Sequence, residues 1–246
     1  MKAMIFAAGL GTRLRPLTEH RPKALIEAGG MTLLEFAIRR LKYFGFREII
    51  INIHHHGQQI IDFLEAQQHF GIHIAVSDER DLLLDTGGGL AKAAWFFEGQ
   101  PFLVYNADIL SSLDLGALFE AHLQKKGLAT LAVQQRESSR AFLFDAQNQL
   151  CGWKNFTSGE VRQSRPVAHA VPRSFSGIHV LSSEIFTFMP QEERVFSIVE
   201  TYLQAAATQS IYAYPHDGDI WVDVGKLPAL EKAAAVIHQI PIASKN

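Results

Sequence analysis

The residues best suited to chemistry lie between positions 8 and 25, in the string AGLGTRLRPLTEHRPKAL. Gly9 and Gly11 make a turn in which backbone amides approach an anion with no Cβ in the way. Arg13, Arg15 and Lys23 gather positive charge around it, as a ligand carrying several phosphates requires. Pro16 and Pro22 stiffen the chain that holds those side chains. The two best-known phosphate motifs do not fit. A dinucleotide fingerprint needs glycine where Leu14 stands and an acid ending the next strand, where Asn52 and His54 occur; the Walker pattern needs a Gly-Lys-Ser/Thr that never follows.

Further along, Asn106-Ala-Asp108 ends an apolar run, and its carboxylate suits Mg²⁺, a hard cation that prefers oxygen ligands. Asp223, in Trp221-Val-Asp-Val-Gly225, follows another strand-like run. In Leu84-Asp-Thr-Gly-Gly-Gly89 the small residues let a flat base lie against the backbone, or else form a helix-entry turn capped by Thr86. His54, His55 and His56 lack an obvious third ligand and read as a polar strand-to-helix turn. Cys151 reads as a packed thiol, Asn155-Phe-Thr157 as a chance glycosylation match, and Trp153 and Trp221 as core or pocket walls.

The elements that must position these residues alternate. Residues 3–8 form a short apolar run, as in a strand buried on both faces of a parallel sheet. Thr32-Leu-Leu-Glu35 is a capping box opening a helix that Gly45 ends, with Arg39, Arg40 and Lys42 on the face away from its apolar stripe. Strands follow near 48–53, 72–76 and 102–106, with helices near 58–68 and 89–97 between them. That alternation predicts an α/β fold with ligands at the carboxyl ends of strands. Beyond Asp114 strands are expected near 128–134, 141–145, 174–181, 210–214 and 220–224, and helices near 183–189, 197–206 and from 227. The polar stretch 155–173, with Arg162, Arg165 and Arg173, reads as a mobile substrate loop.

With 246 residues, the chain suits one large domain, 1–246. Its 23 basic and 25 acidic residues nearly cancel, which argues against nucleic-acid binding by bulk charge. One cysteine excludes an intrachain disulfide. No run approaches the roughly 20 apolar residues of a membrane span, so a soluble cytoplasmic protein with no membrane or nucleic-acid partner is expected.

The residues Gly9, Gly11, Thr12, Arg13, Pro16, Pro22, Lys23 and Leu25 resemble the signature of the sugar-nucleotide pyrophosphorylases, which join a nucleoside triphosphate to a sugar 1-phosphate. The resemblance implies a Rossmann-like three-layer sandwich with a mixed, mostly parallel central sheet, of the nucleotide-diphospho-sugar transferase type, with a nucleotide-binding half to about 110 and a sugar-phosphate-binding half from about 111. It implies that Ala8, Gly9, Gly11 and Thr12 wrap the triphosphate while Arg13 and Lys23 act at the reacting phosphates. Thr86, Gly87 and Gly88 would help select the base, Asn106 and Gly177 would touch the sugar phosphate, and Asp108 and Asp223 would hold Mg²⁺. Within the family the chain most resembles N-acetylmuramate 1-phosphate uridylyltransferases of cell-wall recycling. It departs from them near Ser139-Arg-Ala-Phe142, where Ala141 stands in place of an expected acid. Mannose or heptose 1-phosphate guanylyltransferase and glucose 1-phosphate thymidylyltransferase are the alternatives, and a non-catalytic nucleotide-sugar-binding regulator is a further one.

Overall fold

The computed structural model describes residues 1–244. In chain order these form β1 (Lys2–Phe6), β2 (Glu27–Ala28), β3 (Met31–Thr32), α1 (Leu33–Tyr43), β4 (Glu48–Ile53), α2 (Gly57–Ala66), β5 (His73–Asp78), α3 (Asp85–Lys92), β6 (Phe102–Asn106) and β7 (Ile109–Ser111). Then come α4 (Leu115–Lys125), β8 (Ala129–Gln134), β9 (Arg140–Phe144), β10 (Leu150–Asn155), β11 (Val161–Gln163), β12 (Val171–Leu181), α5 (Ile198–Ala205), β13 (Ile211–Pro215), β14 (Trp221–Asp223) and α6 (Leu227–Val236). They pack as two compact units. One comprises Met1–Leu83, Val104–Leu115 and the residues from Asp219 onward; the other comprises Leu84–Leu103 and Gly116–Gly218.

In the first unit β1, β4 and β5 are parallel neighbours, with register from Lys2↔Glu48 to Phe6↔Asn52 in the first pair. Ala3, Met4 and Ile5 are wholly buried, as a continuous apolar run predicts. The hydroxyl of Thr32 accepts from the Glu35 amide at 3.1 Å and opens α1; Gly45, at φ 83°, ends it.

Arg39, Arg40 and Lys42 are not a solvated face. All three are buried: the segment after α6 covers Arg39 and Arg40, and Lys42 donates to Phe70 O at 2.5 Å. Arg40 donates to the carbonyls of Ser111 (3.0 Å), Ser112 (2.8 Å), Leu113 (2.7 Å) and Pro241 (2.6 Å). Burial lowers its pKa, yet each of its three nitrogens finds an oxygen, and the strand β7 is thereby tied to the helix. Against β7 runs β14, antiparallel, with Asp223 opposite Ile109. Ser112 fastens that pair: its hydroxyl donates to Asp219 and accepts from the Ile220 amide, both at 2.9 Å. Beneath lie Leu33, Phe36, Leu110, Val222, Val224 and Ile237.

In the second unit β12 pairs antiparallel with β8 and β9, β10 lies between β9 and β11, and β13 joins β8 in parallel. The sheet is therefore mixed. The stretch expected to be a mobile loop is instead pinned: β11 pairs with β10, Arg162 forks onto Glu200, and Arg165 reaches Asp145 (2.7 Å) and Gln149 (2.8 Å). Arg173 faces Asp217 at 3.5 Å. Their carboxylate partners come from distant chain positions, which local sequence does not reveal. Cys151 is buried and donates to Leu143 O, its pKa pushed up by burial, and Asn155 closes a turn through the Thr157 and Ser158 amides. Among the described residues no helix is long and apolar enough to cross a membrane.

Two histidines in this unit are held neutral. His179 is enclosed beside Tyr202, and burial lowers its pKa to about 3. His122 sits between Thr130 and Ser182 at 3.0 and 3.1 Å, and burial lowers its pKa to about 4, partly offset by Glu184. Below pH 6.5 the unfolded chain takes up protons that these folded sites refuse, so stability must fall as pH falls from there toward 4. Urea unfolding should show a loss of about 1.4 kcal/mol per pH unit for each histidine, and His179→Gln with His122→Gln should flatten the slope.

Candidate active site

Gly11 sits at φ 64°, and a Cβ there would lie 2.9 Å from Thr18 Cγ2 and 3.0 Å from Lys23 Cβ. The Thr18 hydroxyl donates back to Gly11 O at 2.9 Å. Glycine is thus required by the loop's own packing. Gly9 differs: nothing lies within 4 Å of where its Cβ would point, so this face of the loop is open. Ala8 is buried behind it. Thr12–Leu14 form one 3₁₀ turn, in which wholly buried Leu14 is the anchor and Arg13 stays exposed.

After Pro22 a second short turn, Lys23–Leu25, buries Ala24 and Leu25 and sends Lys23 Nζ to Asp108 Oδ2. The two side chains are 12% and 28% exposed. Asp108 lies in the turn between β6 and β7, which three bonds hold: Ala107 N to Phe6 O (3.1 Å), Val224 N to Asp108 O (2.9 Å) and Tyr105 Oη to Ile109 O (3.0 Å). Burial raises the Tyr105 pKa, so its hydroxyl remains a donor.

Because Val224 bonds to Asp108 and Asp223 pairs with Ile109, the turn that carries Asp108 lies beside the end of β14 that carries Asp223. Arg13 reaches the same place. A Cβ on Gly225 would be 3.0 Å from Asp223 Oδ1 and 3.2 Å from Arg13 Nη2, so guanidinium and carboxylate both press on this glycine. Arg13, Lys23, Asp108 and Asp223 are therefore brought together, with half-exposed Asn106 two residues ahead of Asp108. Two cations and two carboxylates can bind phosphates and a hard divalent cation. The donor set fits Mg²⁺: it is all oxygen, and among the described residues no third His, Cys, Asp or Glu joins it, as for a metal that completes its shell with phosphate and water.

Thr86, Gly87, Gly88 and Gly177 belong to the second unit. The helix expected from 89 starts at Asp85, so the glycines lie inside α3. Gly87 and Gly88 donate their amides to Phe196 O (2.9 and 3.2 Å), and a Cβ on either would strike Phe196 or Arg194 O. The Thr86 hydroxyl caps a different helix, accepting from Ile198 N at 3.0 Å. These residues have packing reasons for their identity, and the two glycine amides are engaged. Gly177, at φ 75°, lies where the β12 and β8 register shifts between Phe175 and His179, a bulge that favours glycine. His54 and His56 meet the carbonyls of Glu79 (2.7 Å) and Glu19 (3.0 Å), as a polar turn would.

The chain matches the nucleotidyl transferase family over residues 2–240. It is 32% identical to N-acetylmuramate alpha-1-phosphate uridylyltransferase of Neisseria meningitidis, over 96% of this chain and 98% of that one. It belongs to the nucleotidyl transferase family. A Caulobacter vibrioides protein of the same name is 28% identical over 91% of each chain. The fold matches a Bacillus anthracis structure assigned as a glucose-1-phosphate thymidylyltransferase, with TM-score 0.82, 20% identity, and 100% and 98% of the two chains covered. The expected Rossmann-like fold of nucleotide-diphospho-sugar transferases is thus the one observed, and the relatives are sugar 1-phosphate nucleotidyltransferases.

The two loop glycines should respond differently to alanine. Gly11→Ala forces a Cβ into the left-handed region against Thr18 and should lower stability by about 1–2 kcal/mol in urea unfolding. Gly9→Ala should leave stability within about 0.5 kcal/mol while weakening nucleoside triphosphate binding by calorimetry; equal binding by Gly9→Ala and wild type would contradict a ligand on that open face.

Proposed function

We propose that this enzyme joins UTP to N-acetylmuramate 1-phosphate, releasing pyrophosphate and a nucleotide sugar, in the cytoplasm and with Mg²⁺. The observation that carries the reading is the convergence of Arg13, Lys23, Asp108 and Asp223 beside an open glycine turn. The base and sugar rest on the Neisseria relative, which spans nearly the same length.

In this reading a phosphate oxygen of the sugar 1-phosphate attacks the α-phosphorus of UTP in line, and the bond to pyrophosphate breaks. The second pKa of a phosphomonoester is about 6, so the nucleophile is largely deprotonated at neutral pH and needs no protein base. The loop from Ala8 to Thr12 holds the triphosphate, Arg13 stabilises charge gathering on the leaving pyrophosphate, and Lys23 neutralises the reacting phosphates. Lys23 donates to Asp108, and in this reading that contact keeps its charge beside the reacting phosphates. When bound by Asp108 and Asp223, Mg²⁺ supplies a template and charge sink for phosphate oxygens. Asn106 and Gly177 contact the sugar phosphate. Base selection falls to the Thr86–Gly88 segment through its shape and remaining backbone groups, since the Gly87 and Gly88 amides serve Phe196.

A pyrophosphate-release matrix of UTP, GTP, CTP and dTTP against sugar 1-phosphates tests the assignment. UTP with N-acetylmuramate 1-phosphate should turn over fastest; preference for GTP with mannose 1-phosphate would move the chain to the guanylyltransferases. Asp108→Asn should remain folded and lose on the order of 10²–10³ in turnover. Unchanged turnover would remove the metal role.

A further inference from the structure

Asn52, next to last in β4, stands opposite Phe6, the last residue of β1, so the ladder between them stops just where the glycine-rich loop begins. The next amide, that of Ala7, is not left to solvent. Asn52 Oδ1 accepts it at 2.8 Å, while Asn52 Nδ2 donates to Glu79 Oε1 at 2.8 Å. Both side chains are enclosed, Asn52 at 3% and Glu79 at 0% exposure. Glu79 is itself fixed, its amide bonded to Ile53 O at 2.8 Å and its carbonyl to His54 Nδ1 at 2.7 Å. The orientation of the Asn52 amide is thereby set. Flipped, it would turn a donor toward the Ala7 N–H and an acceptor toward a carboxylate. The same turn also holds the far end of the loop, where His56 Nε2 and Gln59 Nε2 donate to the carbonyls of Glu19 (3.0 Å) and His20 (2.9 Å).

We infer that Asn52 and Glu79 are a positioning pair which, through Ala7, sets the glycine-rich loop in the conformation that receives the triphosphate. The inference rests on the reading of that loop as the triphosphate site. Asn52 touches no substrate in this account. An ionised aspartate or a leucine there would still fill the space, but neither can accept from Ala7 and donate to Glu79 together. The pair therefore acts on triphosphate affinity and leaves sugar 1-phosphate affinity and the charge-bearing groups unchanged.

The test is a polarity reversal. In Asn52→Asp two carboxylates face each other, so at pH 8 the pair is broken by repulsion, and at lower pH one shared proton can rejoin it. Adding Glu79→Gln restores one donor and one acceptor in reversed order, with the introduced carboxylate accepting from both the Ala7 amide and the introduced carboxamide. UTP binding measured calorimetrically with Mg²⁺ should weaken about tenfold or more in Asn52→Asp at pH 8, recover as pH falls toward 6, and return close to wild type in the double variant. KM for the sugar 1-phosphate should not move. Wild-type binding by Asn52→Asp at pH 8, or a folded double variant no better than the single one, overturns the pair. If the single variant does not fold, folding of the double variant supports the pair, and failure of both overturns it. Should wild type bind no triphosphate, the site reading fails; the pair is then decided by the Ala7 amide resonance, which must shift in Asn52→Asp and return in the double variant.

Discussion

The ion pair between Lys23 and Asp108 joins residues 85 positions apart, both largely withdrawn from water. Charges in that situation are held only if the backbone on each side is fixed, because desolvation opposes them. On the lysine side the fixing comes from a short turn that buries Ala24 and Leu25, and from Gly11, whose missing Cβ lets Lys23 pass. On the aspartate side it comes from a ladder: β7 is bound to α1 by Arg40 and to β14 by Ser112. That ladder also sets Asp223 next to Asp108 and gives Arg13 its place against Gly225. A hydrophobic layer of Leu33, Phe36, Leu110, Val222 and Val224 underlies the arrangement. The charged groups are few, and most of the unit serves to keep them still.

Much of this was legible in residue types. The apolar run of β1, the glycines and cations after it, and the capping box at Thr32 each follow from local rules, and the structure places them accordingly. What local rules miss is burial by distant chain. Arg39, Arg40 and Lys42 resemble a solvent face in sequence and become interior donors, the first two to the chain that returns after α6 and Lys42 to Phe70 O. Arg162, Arg165 and Arg173 resemble free cations for a substrate and are instead tied to carboxylates from α5 and from the turns after β9 and β13. Glycine is ambiguous in the same way. Gly9 is bounded by open space, whereas Gly87 and Gly88 are dictated by Phe196 and Arg194, and no property of the string separates the two cases.

Asn52 illustrates the remaining gap. In sequence it counts against a dinucleotide fingerprint, because an acid belongs at the end of that strand. In the structure an amide is what the position demands, since one side of it must accept from Ala7 and the other must donate to Glu79. The partner, Glu79, lies 27 residues on and carries no motif of its own.

The central claim is that one nucleotide tail meets Arg13 and Lys23 on one side and a divalent cation held by Asp108 and Asp223 on the other. Anomalous diffraction from crystals grown with Mn²⁺ and a non-hydrolysable UTP analogue measures this directly. The account predicts a manganese peak shared by both carboxylates and the triphosphate, with Lys23 against a phosphate oxygen. A peak away from the two aspartates, or a triphosphate bound elsewhere than along Gly9 and Arg13, would contradict it.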